Sequence, residues 1–231
     1  MSKPRLVIGD LHAPWVHPEY LAHCLRVHQE WGCGSEPILI GDEIDMHAIS
    51  DHDTDPDQPG AGEEFDQAIR ALQPWYDAFP AAKICIGNHS ARWFRRAFKA
   101  GIPERLIKGY REVLEAPRRW TWQNRFVIEN VLYTHGNTSG RMAVINRALR
   151  EGISVAHGHT HCHAGVLYQM SRNRGLIFAL NVGCGINEES RAFRYAADTP
   201  DRPTIGCGVV INAHEAHWIP MPQEQLLAAA A

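Results

Sequence analysis

The pattern of apolar and polar positions divides the chain into two parts of different character. Short apolar runs bounded by glycine or proline predict buried strands, and apolar residues spaced three or four apart predict amphipathic helices. These two signals alternate in the first part, whereas strands dominate the second. The predicted strands are 5–9, 37–40, 82–86, 120–122, 125–128, 131–134, 153–156, 165–170, 176–180 and 206–212, and the predicted helices are 18–31, 63–79 and 139–150, with further helical segments in 92–117.

This order of elements predicts an α/β protein whose core holds two mixed sheets. The 231 residues are enough for one sizeable core, and no segment has the composition of a linker, so we expect one domain over 1–231. Apolar residues make up 45% of the chain and charged residues 21%, which is typical of a globular protein. No pattern in the chain indicates an oligomeric state.

Two further features bear on where the protein works. No apolar run approaches the roughly 18 residues that a membrane helix requires, and no long apolar segment follows the N-terminus, so we expect a cytoplasmic protein without a membrane partner. The six cysteines lack C-x-x-C spacing, and several lie in apolar or glycine-rich surroundings. We therefore predict reduced core residues rather than disulfides or a thiolate zinc site.

The net charge of −3 averages over a marked asymmetry. No lysine or arginine occurs between Arg26 and Arg70, where acidic residues recur. The acidic stretch 50–62 does not match an EF-hand loop, because Pro56 and Gly62 stand where that loop needs glycine and glutamate. We expect a solvated loop there.

Beyond residue 91 the charge reverses, with ten basic and three acidic residues in 92–125. Two explanations are open. The basic residues could form an ordinary solvated helix face, or they could form an anion-binding rim in which Arg92, Arg95 and Arg96 point at a bound phosphate.

Five short motifs, each following an apolar run, carry most of the candidate chemistry. They are Asp10-Leu11-His12, Gly41-Asp42-Glu43-Ile44-Asp45, Gly87-Asn88-His89, Thr134-His135-Gly136 and Gly158-His159-Thr160-His161. Taken singly, each has an ordinary explanation, such as a turn at Asp10 or a helix cap at Asp42. Because α/β folds place their sites where strands end, we expect the motifs to converge along one rim.

The spacing inside the motifs suggests how pairs of side chains reach a common point. Asp10 and His12 share a side of an extended segment, and His159 and His161 share a face by strand alternation. Asp42 and Asp45 would face one pocket from a helical turn.

The ligand types indicate a metal centre. Carboxylates, imidazoles and one amide carbonyl suit manganese, iron, zinc or cobalt better than the all-oxygen shell of calcium or the thiolate shell of structural zinc. Seven candidate ligands are too many for one tetrahedral ion and fit two.

In this order the motifs resemble those of the calcineurin-like metallophosphoesterase superfamily, which are D-x-H, GD-x-x-D, GNH followed by an acidic residue, an isolated histidine, and G-H-x-H. The match covers residues 10–161, and the departure is Ser90 in place of the acidic residue. The resemblance implies an α/β fold in which two mixed β-sheets pack as a sandwich flanked by helices (α/β/β/α).

The resemblance also implies roles for the individual residues. Two divalent metal ions, most readily manganese, with iron, zinc, cobalt or nickel as alternatives, would be held by Asp10, His12, Asp42 and His161 on one side and by Asp42, Asn88, His135 and His159 on the other. A hydroxide bridging the ions would attack the phosphate ester. His89 would be catalytic at the leaving oxygen, and Asp45 would orient it; a structural salt bridge is the alternative for that pair.

The substrate implied by the chain is a phosphate ester, and a nucleotide or nucleic-acid phosphodiester is favoured. The reason is that the basic segment is interleaved with aromatic residues, which could hold a polyanion by charge and stacking. These residues are Trp93, Phe94, Trp120 and Trp122. The alternatives are a phosphomonoesterase or protein phosphatase, and a non-catalytic, metal-dependent binding scaffold.

Overall fold

The computed structural model describes residues 2–51, 55–172, 175–188 and 201–222. The strands are β1 (Arg5–Ile8), β2 (Ile38–Leu39), β3 (Ala81–Cys85), β4 (Arg119–Gln123), β5 (Arg125–Ile128), β6 (Val131–Thr134), β7 (Ser154–His157), β8 (Gly165–Ser171), β9 (Gly175–Asn181), β10 (Gly206–Asn212) and β11 (Glu215–Pro220). The α-helices are α1 (Tyr20–Glu30), α2 (Ala61–Ala78), α3 (Arg92–Lys99), α4 (Tyr110–Val113) and α5 (Ala143–Glu151). Short 3-10 turns span His47–Ile49 and Glu104–Leu106.

The strands form two mixed sheets, as the sequence predicted. The six-stranded sheet has the order β11-β10-β1-β2-β3-β4, with β1 to β4 parallel and β10 and β11 antiparallel to their neighbours. The five-stranded sheet has the order β5-β6-β7-β9-β8, in which β6, β7 and β9 are parallel. The two outer strands of that sheet pair antiparallel. The α/β class with two mixed sheets is therefore confirmed.

The two sheets share one apolar cluster, so they face each other. Alternation along β1 places Leu6 and Ile8 in a cluster with α1 and α2, and Val7 in a second cluster with Phe178 and Leu180 of the other sheet. A helix, α5, covers the remaining face of the five-stranded sheet through a third cluster. These contacts give four layers, with helices outside and the sheets inside.

The structure differs from the sequence prediction mainly at the edges of elements. The hairpin strand β11 was not predicted, because polar Glu215 and His217 interrupt its apolar residues and Ala216 alone is buried in its first half. The helix predicted at 63–79 begins two residues earlier, so Gly62 lies in its first turn rather than in the acidic loop. Asp53 of that loop lies outside the described residues.

All six cysteines are free thiols, and five are buried, which confirms the prediction of reduced core residues. Cys162 differs, since it is half-buried beside the candidate site. Within the described part of the chain, no helix has the length and apolarity needed to cross a membrane.

Candidate metal centre

Five loops that follow β1, β2, β3, β6 and β7 bring the sequence motifs together. The backbone N–H of His159 donates to Asp10 Oδ2 at 2.9 Å, although the two residues are 149 positions apart. The backbone N–H groups of His89 and Ser90 donate to Asp42 Oδ1 at 2.7 and 3.2 Å. The motifs therefore converge at the strand ends, as predicted.

The first group of ligand atoms surrounds His135. Its Nε2 atom lies 2.9 Å from Asn88 Oδ1, 3.1 Å from Asp42 Oδ2 and 3.2 Å from His159 Nδ1. One ring proton cannot satisfy three such neighbours. Ligand atoms bound to one ion at about 2.1 Å are separated by roughly 3.0–3.5 Å, so this spacing suits a shared cation.

The second group lies on the other side of Asp42. Ligand atoms of Asp10, His12 and His161 all lie within 4.8 Å of one another, and His161 Nε2 is 3.0 Å from Asp10 Oδ2. Asp42 Oδ2 is 3.9 Å from His12 Nε2 and 3.1 Å from His135 Nε2. The Asp42 carboxylate therefore stands between the two groups, within reach of both.

Three of the ligands adopt left-handed backbone conformations. The φ angles are 50° at His12, 45° at Asp42 and 67° at His159. Such values are uncommon outside glycine and tend to persist where the surroundings over-determine them, as at functional sites. The side chains converge, but the predicted local structures were wrong. They were an extended segment for Asp10 and His12, a helical turn for Asp42 and Asp45, and strand alternation for His159 and His161.

Two glycines let the backbone approach the carboxylates closely. A Cβ atom on Gly87 would lie 2.0 Å from Asp42 Oδ1, and one on Gly158 would lie 2.4 Å from Asp10 Oδ1. Real Cβ atoms do not approach so closely, and the carboxylates are held by hydrogen bonds. Glycine is therefore required at both positions by lack of space.

We expect Gly87→Ala to lower both metal content and phosphodiester turnover by about 10–100-fold, because the new methyl group must displace Asp42. Gly62→Ala in α2 is the matched control, since a methyl group there would meet no other atom within 4 Å. Metal analysis and turnover of bis(p-nitrophenyl) phosphate check the prediction. Equal metal content and equal turnover in the Gly87→Ala and Gly62→Ala variants would show that the site tolerates displacement of Asp42.

The electrostatics of the centre also favour a bound cation. Asp10 Oδ1 and His135 Nδ1 are buried and lie 3.6 Å apart, within ion-pair range, but neither atom makes a hydrogen bond within the described chain. Burial opposes ionisation of Asp10, yet His135 and His161 hold its pKa well below the ordinary value. Burial likewise opposes protonation of His135, but the Asp42 and Asp10 carboxylates raise its pKa. A divalent cation would stabilise the same carboxylates, and its binding would displace that proton.

Asp45 orients two histidines at once. Its Oδ1 atom lies 2.7 Å from His12 Nδ1 and 2.6 Å from His89 Nδ1, so each ring directs its Nε2 edge away from Asp45. Burial opposes ionisation of Asp45, but the hydrogen bonds from both rings hold its pKa far below the usual range. The predicted pairing with His89 is present. The contact with the ligand His12 was not predicted, and it is the outer-shell contact that a metal-binding histidine normally has.

Ser90, which stands where the resemblance implies an acidic residue, is anchored by a residue that sequence reasoning missed. Its Oγ donates to Glu43 Oε2 at 2.6 Å, and Trp122 Nε1 donates to Glu43 Oε1 at 2.9 Å. Glu43 is fully buried, and burial raises its pKa. An acidic side chain therefore supports the loop from the neighbouring motif. The signal in the sequence was a glutamate directly after Asp42 combined with a hydroxyl after His89.

The three arginines predicted to meet phosphate contact the backbone of nearby loops. Arg92 donates to the carbonyls of Asp45 and Met46, Arg95 to that of Asn88, and Arg96 to those of Ile49 and Ser50. Arg92 also lies 3.2 Å from His89 Nε2. These contacts brace the loops around the centre, and a phosphate-binding role for the arginines stays a prediction.

Four of the seven predicted ligands line a cleft of about 420 Å³: Asp42, Asn88, His159 and His161. Its lining also includes His89, Ser139, Gly140 and Arg202. Substrate could therefore reach the ligands and His89 from solvent.

Comparison with known proteins assigns no family. No protein-family model matches the chain, and no curated protein matches it. The function has to be inferred from the geometry of the site.

Proposed function

We propose that this protein is a binuclear metal-dependent phosphoesterase with the calcineurin-like fold and that it acts on phosphodiesters. The observation that supports the proposal most is the position of Asp42 between two groups of ligand atoms from five distant loops. A salt-bridge network pairs opposite charges, and such pairing does not require an amide oxygen and two imidazole nitrogens around one point.

The residues present fit two divalent cations, with manganese as the first choice among borderline and hard ions. Such a pair of cations would stabilise phosphate charge and lower the pKa of a water molecule until it becomes a nucleophile near neutral pH. Asp10, His12 and His161, with Asp42, would hold one cation. Asn88, His135 and His159, again with Asp42, would hold the other.

The remaining chemistry belongs to His89 and its neighbours. His89 lines the cleft, and its Nδ1 is held by Asp45 at 2.6 Å. Its Nε2 atom accepts a hydrogen bond from Arg92 at 3.2 Å in the structure, so donation to the leaving oxygen of the substrate requires Nε2 to carry the proton and Arg92 to turn aside. The adjacent Arg92 guanidinium adds positive charge where the leaving oxygen gains negative charge.

A diester is favoured over a monoester because the basic segment begins directly beside His89. The non-catalytic scaffold is disfavoured, since every ligand position and the His89 position are filled. A phosphomonoesterase or protein phosphatase remains the second candidate, because the same metal centre serves either substrate class.

The proposal is tested by metal analysis combined with a panel of esters. We expect about two manganese ions per chain after incubation with Mn²⁺, faster turnover of bis(p-nitrophenyl) phosphate than of p-nitrophenyl phosphate, and loss of both activities with a chelator. Faster monoester turnover would favour the phosphatase. Two bound ions without turnover of any ester would favour the scaffold.

A further inference from the structure

A second, largely apolar groove lies next to the metal cleft. Its volume is about 620 Å³, and it runs between α3 and the segment that leads into α4. Its lining includes three aromatic side chains, Phe94, Phe98 and Tyr110, together with Ile102 and Ile107. Phe98 is 82% exposed, and so large an exposed ring beside an apolar groove is typical of a binding surface.

One short stretch of chain contributes to both the groove and the cleft. Ile86 lines the groove and Asn88 lines the cleft, so the two linings come within two residues of each other along the chain. Arg95 lines the groove and donates to the Asn88 carbonyl at 2.7 Å. A substrate whose phosphate lies at the metal ligands could therefore extend into the groove.

The charges around the groove match a chain of phosphates. Arg95, Lys99 and Glu104 line it, and the exposed Arg105, Lys108 and Arg111 continue along the same segment. Two of these cations are paired, Lys99 with Asp51 at 2.9 Å and Lys108 with Glu112 at 3.0 Å. Basic residues still outnumber acidic ones over 95–111 and are spread along the groove, whereas a single lipid headgroup would need them at one point. Phe94 and Tyr110 stand with ring centroids 5.1 Å apart, and Phe98 adds a third ring.

The aromatic residues that line the groove differ from those that the sequence suggested for stacking. Trp120 is buried and donates to the Phe79 carbonyl, so its predicted stacking role is wrong. Trp122 stacks on Tyr110 and donates to Glu43, which gives it a structural role. Of the four residues proposed from sequence, Phe94 alone lines the groove.

We infer that this groove holds the bases of a single-stranded nucleic acid whose phosphodiester lies at the metal centre. Flat bases stack on aromatic rings without regard to sequence, and the flanking cations hold the backbone. The inference rests on the proposed function for the reaction, but binding in the groove can be measured independently of turnover.

The test compares two ligands on Mn²⁺-loaded full-length protein by fluorescence anisotropy. One ligand is an oligothymidylate of about twelve nucleotides, and the other is an abasic chain of the same length; both carry phosphorothioate linkages that resist hydrolysis. We expect the oligothymidylate to bind at least about tenfold more tightly, with both affinities falling steeply as salt is added.

Phe98→Ala should remove most of the difference between the two ligands, because it deletes an exposed stacking surface and leaves every metal ligand in place. Its affinity for the abasic chain and its metal content should stay within about twofold of wild type. Met170→Ala, a similarly exposed apolar position on β8, is the matched control and should change neither affinity.

Three outcomes would overturn the inference. Equal binding of the two ligands by the wild type would show that bases are not recognised, and an unchanged preference in Phe98→Ala would place recognition elsewhere. Tight binding to phosphatidylglycerol vesicles without binding to the oligothymidylate would assign the groove to a lipid. A failure of the phosphoesterase proposal would give a different result: ester turnover would be absent, while the preference for the oligothymidylate over the abasic chain persisted.

Discussion

Replacing Asp42 with asparagine is expected to lower turnover of bis(p-nitrophenyl) phosphate by at least about a thousandfold, or about 4 kcal/mol of transition-state stabilisation. The reason is its position between the two ligand groups, 3.1 Å from His135 Nε2 and 3.9 Å from His12 Nε2. An amide has nearly the size of a carboxylate but cannot supply negative charge to two cations. We therefore expect metal content to fall from two ions per chain to one or none.

The asparagine variant should keep its fold, because its remaining side-chain oxygen can still accept hydrogen bonds from the His89 and Ser90 backbone. Circular dichroism and urea unfolding check this point. Asp77→Asn on the exposed side of α2 is the matched control and should retain both metal content and turnover. Full metal content with full turnover in Asp42→Asn would show that neither metal binding nor catalysis needs the Asp42 carboxylate.

Replacing His89 with alanine is expected to lower turnover of the same diester by about 10²–10⁴-fold, the usual range for loss of a general acid. His89 lines the cleft and is held by Asp45, but the proposed ligand sets do not include it. Metal content should therefore remain at two ions per chain. Turnover and metal analysis must be measured on the same preparation.

The His89 result separates two roles. Ligand atoms of His89, His12 and Asp42 lie within 4.8 Å of one another, so His89 is close enough to act as a ligand instead. A parallel loss of metal and activity in His89→Ala would show that role. Undiminished turnover would remove His89 from the mechanism. His217→Ala, on the partly exposed strand β11, is the control for general effects of losing a histidine.

The sequence predicted the layers of the fold because its buried strands are short apolar runs and its helices have clear periodicity. The ten strands β1 to β10 were all placed, usually within two residues. The strand β11 was missed because its pairing with β10 depends on a hairpin that closes after residue 212, not on its own composition. Tertiary pairing decides such edge strands.

The convergence of the five motifs could be predicted, but the local geometry that presents their side chains could not. Periodicity arguments assume regular backbone, whereas His12, Asp42 and His159 adopt left-handed conformations in loops after the strands. Histidine and aspartate are enriched at positive φ, but most of them adopt negative values, so residue type alone does not predict these conformations. The close fit of Gly87 against Asp42 likewise appears only when residues 45 positions apart come together.

The outer-shell contacts were the least predictable part of the site. Asp45 was expected to meet His89, and it also meets His12. Glu43 was not singled out, yet it supports both Ser90 and Trp122. Such contacts follow from the detailed path of the loops, which spacing along the chain does not determine.

The central claim is that two cations share the Asp42 carboxylate. The most direct measurement is anomalous X-ray scattering at the manganese edge from crystals grown with Mn²⁺. We predict two peaks about 3.5–4 Å apart on either side of Asp42, one against Asp10, His12 and His161 and the other against Asn88, His135 and His159. A cleft without peaks, or peaks that leave Asp42 outside bonding distance, would contradict the account.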